Sequence, residues 1–181
     1  SALTIDFENN IAAYLDTIII TQDMTEGLPD DYKDEHRLPN GLYGIDLSYP
    51  SFYPFMEYAE SDSIRKLLRF KFLNRGMPDN LKILDKIIIK RRQLAKILGY
   101  STYAEYTIEE GMAKTPEAVW KFEKNLIEKI REKADQDTQQ MLTIKKEQTD
   151  TQESTVSDWE KYYYENQLLL QSYKVNAEEV K

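Results

Sequence analysis

With 181 residues, 41% of them apolar and 31% charged, and with no cysteine, the chain is long enough for one buried core and must hold it without disulfides or thiolate metal sites. Basic residues number 24 against 32 acidic ones, a net charge of −8 that repels phosphate backbones and argues against nucleic acid as a partner. No apolar run approaches the roughly twenty residues that cross a bilayer, so no membrane partner is expected.

Six glycines and six prolines against thirteen tyrosines predict long helices over a turn-rich β fold. The expected fold class is all-α, a single multi-helix domain over residues 1–181 with about seven to eight helices and one short strand near 42–47. In chain order, Phe7, Ile11, Ala12 and Leu15 share one helical face and predict a short amphipathic helix from Ile5 to Asp16. Ile18 to Ile20 break that period. Residues 29–37 read as a short helix with Asp30 and Asp31 near its positive start and His36 at its end. A lone imidazole with no second histidine reads as a surface residue at a helix C-terminus, not as a ligand or base.

Pro39-Asn40-Gly41 makes a turn, and Leu42 to Leu47 alternates as a strand does. No partner for it is evident in the chain, so it is expected to pair with residues supplied from elsewhere. Ser51 to Glu60 reads as a helix with an aromatic face of Phe52, Phe55 and Tyr58, with Pro54 in its first turn. Ser61 to Arg75 follows, with Ile64, Leu67, Leu68, Phe70 and Phe72 inside. Ser63 and Lys66 match the serine-x-x-lysine spacing of some acyl-transfer enzymes, but two fixed positions arise often by chance and neither companion motif is present.

The strongest stretch runs from Pro78 to Thr115. Leu81, Leu84, Ile87, Ile88, Leu94, Ala95 and Leu98 recur at intervals of three and four, which predicts one deeply packed helix ended by Gly99. Thr102 and Glu105 form a capping box for the next helix, and Thr115, Pro116 and Glu117 are the cap, first-turn proline and acid of a third. That third helix is long, about 115–148, with Val119, Phe122, Leu126, Ile130, Met141 and Ile144 as its buried stripe. Residues 149–155 are a polar, flexible loop. Asp158, Trp159 and Tyr162 to Tyr164 open a last helix, and three adjacent tyrosines cannot all face one core. Acid pairs such as Glu57 with Glu60, or Glu105 with Glu109, read as exposed polar faces. Residues 175–181 stop in mid-helix.

On the phrases Leu98-Gly99-Tyr100, Tyr103-Ala104 and Met112 to Pro116, the chain resembles the thimet oligopeptidase family of zinc metallopeptidases, which includes oligoendopeptidase F and peptidyl-dipeptidase. Gly27-Leu28-Pro29, Leu47 to Ser51, Asn74-Arg75, Asp158-Trp159 and Tyr162-Tyr163 extend the likeness in order from about residue 5 onward. The resemblance implies a parent protein whose zinc is held by a His-Glu-x-x-His helix and a further glutamate. This chain has one histidine, His36, so a two-histidine zinc site cannot form within it.

The chain is therefore expected to be a piece that precedes the catalytic part and shapes a peptide channel in a metalloendopeptidase or peptidyl-dipeptidase. It is expected to bind no zinc, to supply no catalytic or metal residue and to be inactive alone, and no substrate-binding residue is assigned. Its partners are short peptides and the catalytic part of the same chain, in the cytoplasm; isolated, it would expose apolar surface and self-associate. The alternative is a stand-alone acidic helical interaction domain.

Overall fold

The computed structural model describes residues 2–149 and 152–173. In order they form α1 (Ala2–Ala12), β1 (Thr17–Ile20), a 3-10 turn (Gln22–Thr25), α2 (Asp30–His36), β2 (Tyr43–Asp46), α3 (Tyr49–Tyr58), α4 (Asp62–Leu73), α5 (Asp79–Ile97), α6 (Tyr103–Ile108), α7 (Pro116–Thr149) and α8 (Lys161–Tyr173). They divide into two compact units. The first takes the chain up to Tyr14 together with Gly76–Asp135, and the second takes Leu15–Arg75 together with the chain from Gln136.

The second unit holds the main core. Thr17–Ile20 alternates outward and inward, so Ile18 and Ile20 are buried while Ile19 stays exposed. β1 pairs antiparallel with β2, Ile18 opposite Ile45. The strand over 42–47 thus has its partner within this chain, contrary to the sequence expectation. Three successive isoleucines conceal a period of two, which is why the run read only as a break in helical spacing. Ser48 caps α3 by accepting from Ser51 N–H, and α3 buries Phe52, Phe55 and Met56. The helix starts at Tyr49, so Pro54 lies inside it and not in its first turn. From α4, Phe72 stacks on Phe52 with ring centres 3.8 Å apart, and the Arg75 guanidinium covers the same ring at 3.7 Å.

A smaller cluster joins Met141 and Ile144 of α7 to Tyr163 and Tyr164 of α8. Tyr162 packs instead against the main core, so the three tyrosines serve two separate clusters. Of the loop over 149–155, residues 150 and 151 lie outside the described residues, while Glu153 and Thr155 are tied to Lys145. The expected helix over 175–181 also lies outside them.

The first unit is built differently. α1 ends at Ala12, so Leu15 falls beyond it and is exposed. α1 meets α5 through polar groups: Asn10 donates to Asn80 Oδ1 at 2.9 Å, and Asn80 donates to Phe7 O at 3.0 Å. Within α5 only Asn80, Ile87 and Ala95 are buried, and Leu81, Leu84 and Ile88 remain 40–52% exposed. The expected deep packing is not seen. Phe122, Leu126 and Ile130 of α7 are likewise exposed, and its apolar stripe is buried only at Met141 and Ile144. Periodicity reports that a face is apolar, not that these residues include its cover.

The corner between α5 and α6 follows its local chemistry. Gly99 takes φ +85°, Tyr100 N–H returns to Ala95 O at 2.9 Å, and Thr102 with Glu105 completes the capping box. Arg91 lies 5.2 Å over the Tyr103 ring. Thr115 Oγ1 accepts from Ala118 N–H at the start of α7.

Candidate functional site

His36 closes α2 and is held at both nitrogens, Nδ1 2.8 Å from Tyr32 O and Nε2 2.9 Å from Ser51 Oγ. Its ring also stacks on Tyr32 at 4.0 Å, so it is half-buried and not the surface imidazole expected. The Tyr32 hydroxyl donates to Ser51 O at 2.6 Å, and burial pushes that phenol far up, so it stays a donor. Burial also raises the Asp46 carboxyl, but hydrogen bonds from Ser48 and Ser51 outweigh this and, with the nearby His36, hold it below the usual carboxylate range. These groups knot α2, β2 and α3 together.

A serine within hydrogen-bonding distance of an imidazole has the geometry of nucleophile and base. Here Ser51 is buried beneath the helix it helps to start, and its backbone N–H is spent on the Ser48 cap. A zinc ligand needs a free imidazole lone pair, and both His36 nitrogens are engaged. The family's zinc site therefore does not fit the residues present, and among the described residues no group of three metal-ligating side chains gathers elsewhere.

Ser63 and Lys66 are not brought together. Ser63 Oγ lies 3.3 Å from Ser61 Oγ, while Lys66 Nζ sits 4.4 Å over the Trp159 ring. Glu105 is consumed by its capping box, and Glu109 accepts from the Tyr100 hydroxyl, a bond that raises that phenol.

The most densely built polar constellation surrounds Trp159 and α8 in the second unit. Arg69 forks onto Asp158 at 2.6 and 3.1 Å, a bond that raises the guanidinium, and Trp159 Nε1–H donates to Asp62 at 3.0 Å. Arg65 is 1% exposed; it donates to Ala59 O, Glu60 O and Asp62 and lies 4.3 Å over the Tyr163 ring. Lys145, also buried, donates to Glu160 at 2.7 Å, to Thr155 O at 3.2 Å and to Glu153. Glu160 in turn accepts from Ser157 N–H at 2.7 Å.

Burial alone would lower Lys145, but its bonds to Glu153 and Glu160 win and raise it. Burial raises Tyr163, with the Glu60 charge adding to it, and pushes Tyr164 up to about 12. These groups line a polar cleft of about 700 Å³. Its buried ammonium and its buried guanidinium each lie against a carboxylate, and these contacts tie α8 and the residues before it to α4 and α7.

Sequence reasoning passed over Arg65, Lys145 and Glu160. Lys145 left a trace: it lies four residues beyond Met141 and next to Ile144, on the buried stripe of α7, where a charge demands a counter-charge.

The sequence model of peptidase family M3 matches residues 55–181. Saccharolysin of Saccharomyces cerevisiae is 28% identical over 99% of this chain and 27% of its own length. Organellar oligopeptidase A of Arabidopsis thaliana is 30% identical over 78% of the chain and 18% of its own length, and oligopeptidase A of Escherichia coli is 24% identical over 77% and 21%. The chain thus spans between 18 and 27% of these relatives.

Proposed function

Because the chain belongs to peptidase family M3, a family of zinc metallopeptidases, we propose that it is the helical, non-catalytic part of a longer zinc-dependent oligopeptidase. The observation that carries this reading is the family match over residues 55–181, set beside a sequence whose one histidine cannot make the family's zinc site. The chain contributes shape. Its helices form the wall of a channel that admits short peptides and excludes folded proteins, and the zinc, with the base that activates water, belongs to the remainder of the polypeptide. His36, Ser51 and the Lys145 cluster then stiffen that wall and touch no reacting atom.

Relatives named for the cytosol and for organelles both occur, and we place this protein in the cytoplasm, a location that fractionation of the source cells tests. Among the described residues no helix is long and apolar enough to cross a membrane.

The test uses the longer polypeptide that contains these residues. Its zinc content is measured together with cleavage of a short quenched fluorescent peptide, with and without chelator. Chelator-sensitive cleavage by the longer chain, with none by residues 1–181, is the expected result. A longer chain without zinc and without cleavage overturns the reading and leaves an acidic helical interaction domain or a family member that has lost its metal.

A further inference from the structure

The first unit carries an apolar face with too little core behind it. Of the twenty buried apolar side chains among the described residues, only Ile87 and Ala95 belong to this unit. On α5, Leu81, Leu84 and Ile88 stand three and four residues apart, within about 60° of one another around a helix of 3.6 residues per turn, and all three are exposed. Such a stripe is the width of a helix seat.

In a chain of net charge −8, α5 carries six basic residues against Asp79 and Asp85, although Lys82, Lys86 and Lys90 lie away from the stripe. Continuing the stripe toward the C-terminal end, Arg92 and Lys96 edge it, with Asp85 as the one acid on that margin. We infer that the Leu81–Leu84–Ile88 face of α5 seats a net-acidic amphipathic helix supplied by the rest of the same peptidase polypeptide.

This inference rests on the proposed function, because the chain spans only 18–27% of the relatives above and most of the parent's length therefore lies outside it. A second copy fits less well, since two α5 helices laid parallel on this face bring Arg92 and Lys96 of both copies together. An anionic bilayer fits less well too, since the chain as a whole is repelled by it and the stripe is narrow for interfacial burial.

A photoreactive benzoylphenylalanine replacing Ile88 in the longer polypeptide tests the seat, with the same group replacing Lys90, on the opposite side of α5, as control. After illumination and proteolysis, the expected product is an intramolecular cross-link from position 88 to an acidic helical peptide outside residues 1–181. It should be absent at position 90 and lost when Leu84→Asp accompanies the probe. Cross-linking to a second copy, to lipid in anionic vesicles, to a peptide within residues 1–181, or to nothing overturns the inference. Zinc and peptide cleavage are read on the same preparation, so a missing cross-link with intact activity sinks the seat alone, whereas missing zinc and activity sink the reading beneath it.

Discussion

Lys145 places an ammonium inside the second unit, where three acceptors replace its water. Truncation strands the buried Glu160 carboxylate, so Lys145→Ala should cost about 3–5 kcal/mol. Pairing Lys145→Met with Glu160→Gln should cost clearly less, a difference that chemical denaturation of the four corners of the cycle measures. The raised Lys145 also sets an alkaline limit. Its contribution is complete below the ordinary lysine value of 10.5 and fades as pH climbs through the higher folded value. Asp16, lowered chiefly by its bond from Lys71, contributes to the acid limit. Its contribution is complete above the ordinary value of 3.8 and fades as pH falls through the lower folded value. Lys71→Met should therefore reduce stability at neutral pH and flatten its decline on acidification, as circular dichroism across a pH series would show. At this scale the sequence disclosed positions but not partners. His36 could be placed at a helix end, yet Ser51, fifteen residues away, makes its contact only once β2 has turned the chain back.

Elements were most legible where their chemistry is local. Thr102 with Glu105, Gly99 and Thr115 could all be assigned from spacing because caps depend on residues three or four apart. The pairing of β1 with β2 spans some thirty residues and left no such signature. Thr102→Ala should accordingly cost about 1 kcal/mol of helix stability, visible as faster amide exchange in α6. Two glycines with nearly equal positive φ should behave differently. At Gly27 a Cβ would lie 2.2 Å from Tyr58 O, whereas at Gly41 nothing stands within 4 Å. Gly41→Ala should cost about 1–2 kcal/mol, the left-handed penalty alone, and Gly27→Ala markedly more, because backbone itself must move. Equal thermal midpoints for the two variants would contradict this.

For the whole molecule, the apolar periods of α5 and α7 correctly marked faces, while burial followed only where these residues supply a cover. Residues 1–181 alone should therefore show slow amide exchange through α3, α4 and α8 and fast exchange in α5 and the first part of α7, a contrast that peptide-resolved mass spectrometry measures. Uniform protection in a monomer would show that the first unit needs no further partner. The two units are also interleaved along the chain, which passes between them after Tyr14, after Arg75 and after Asp135. No single cut releases either one whole. During synthesis the strands and α3 must wait for α8 while residues 76–173 emerge, about 5–20 s at ordinary ribosomal speeds. Through that interval the aromatic faces that Tyr162 and Trp159 later cover stand open to chaperones, so translation rate across this stretch bears directly on yield.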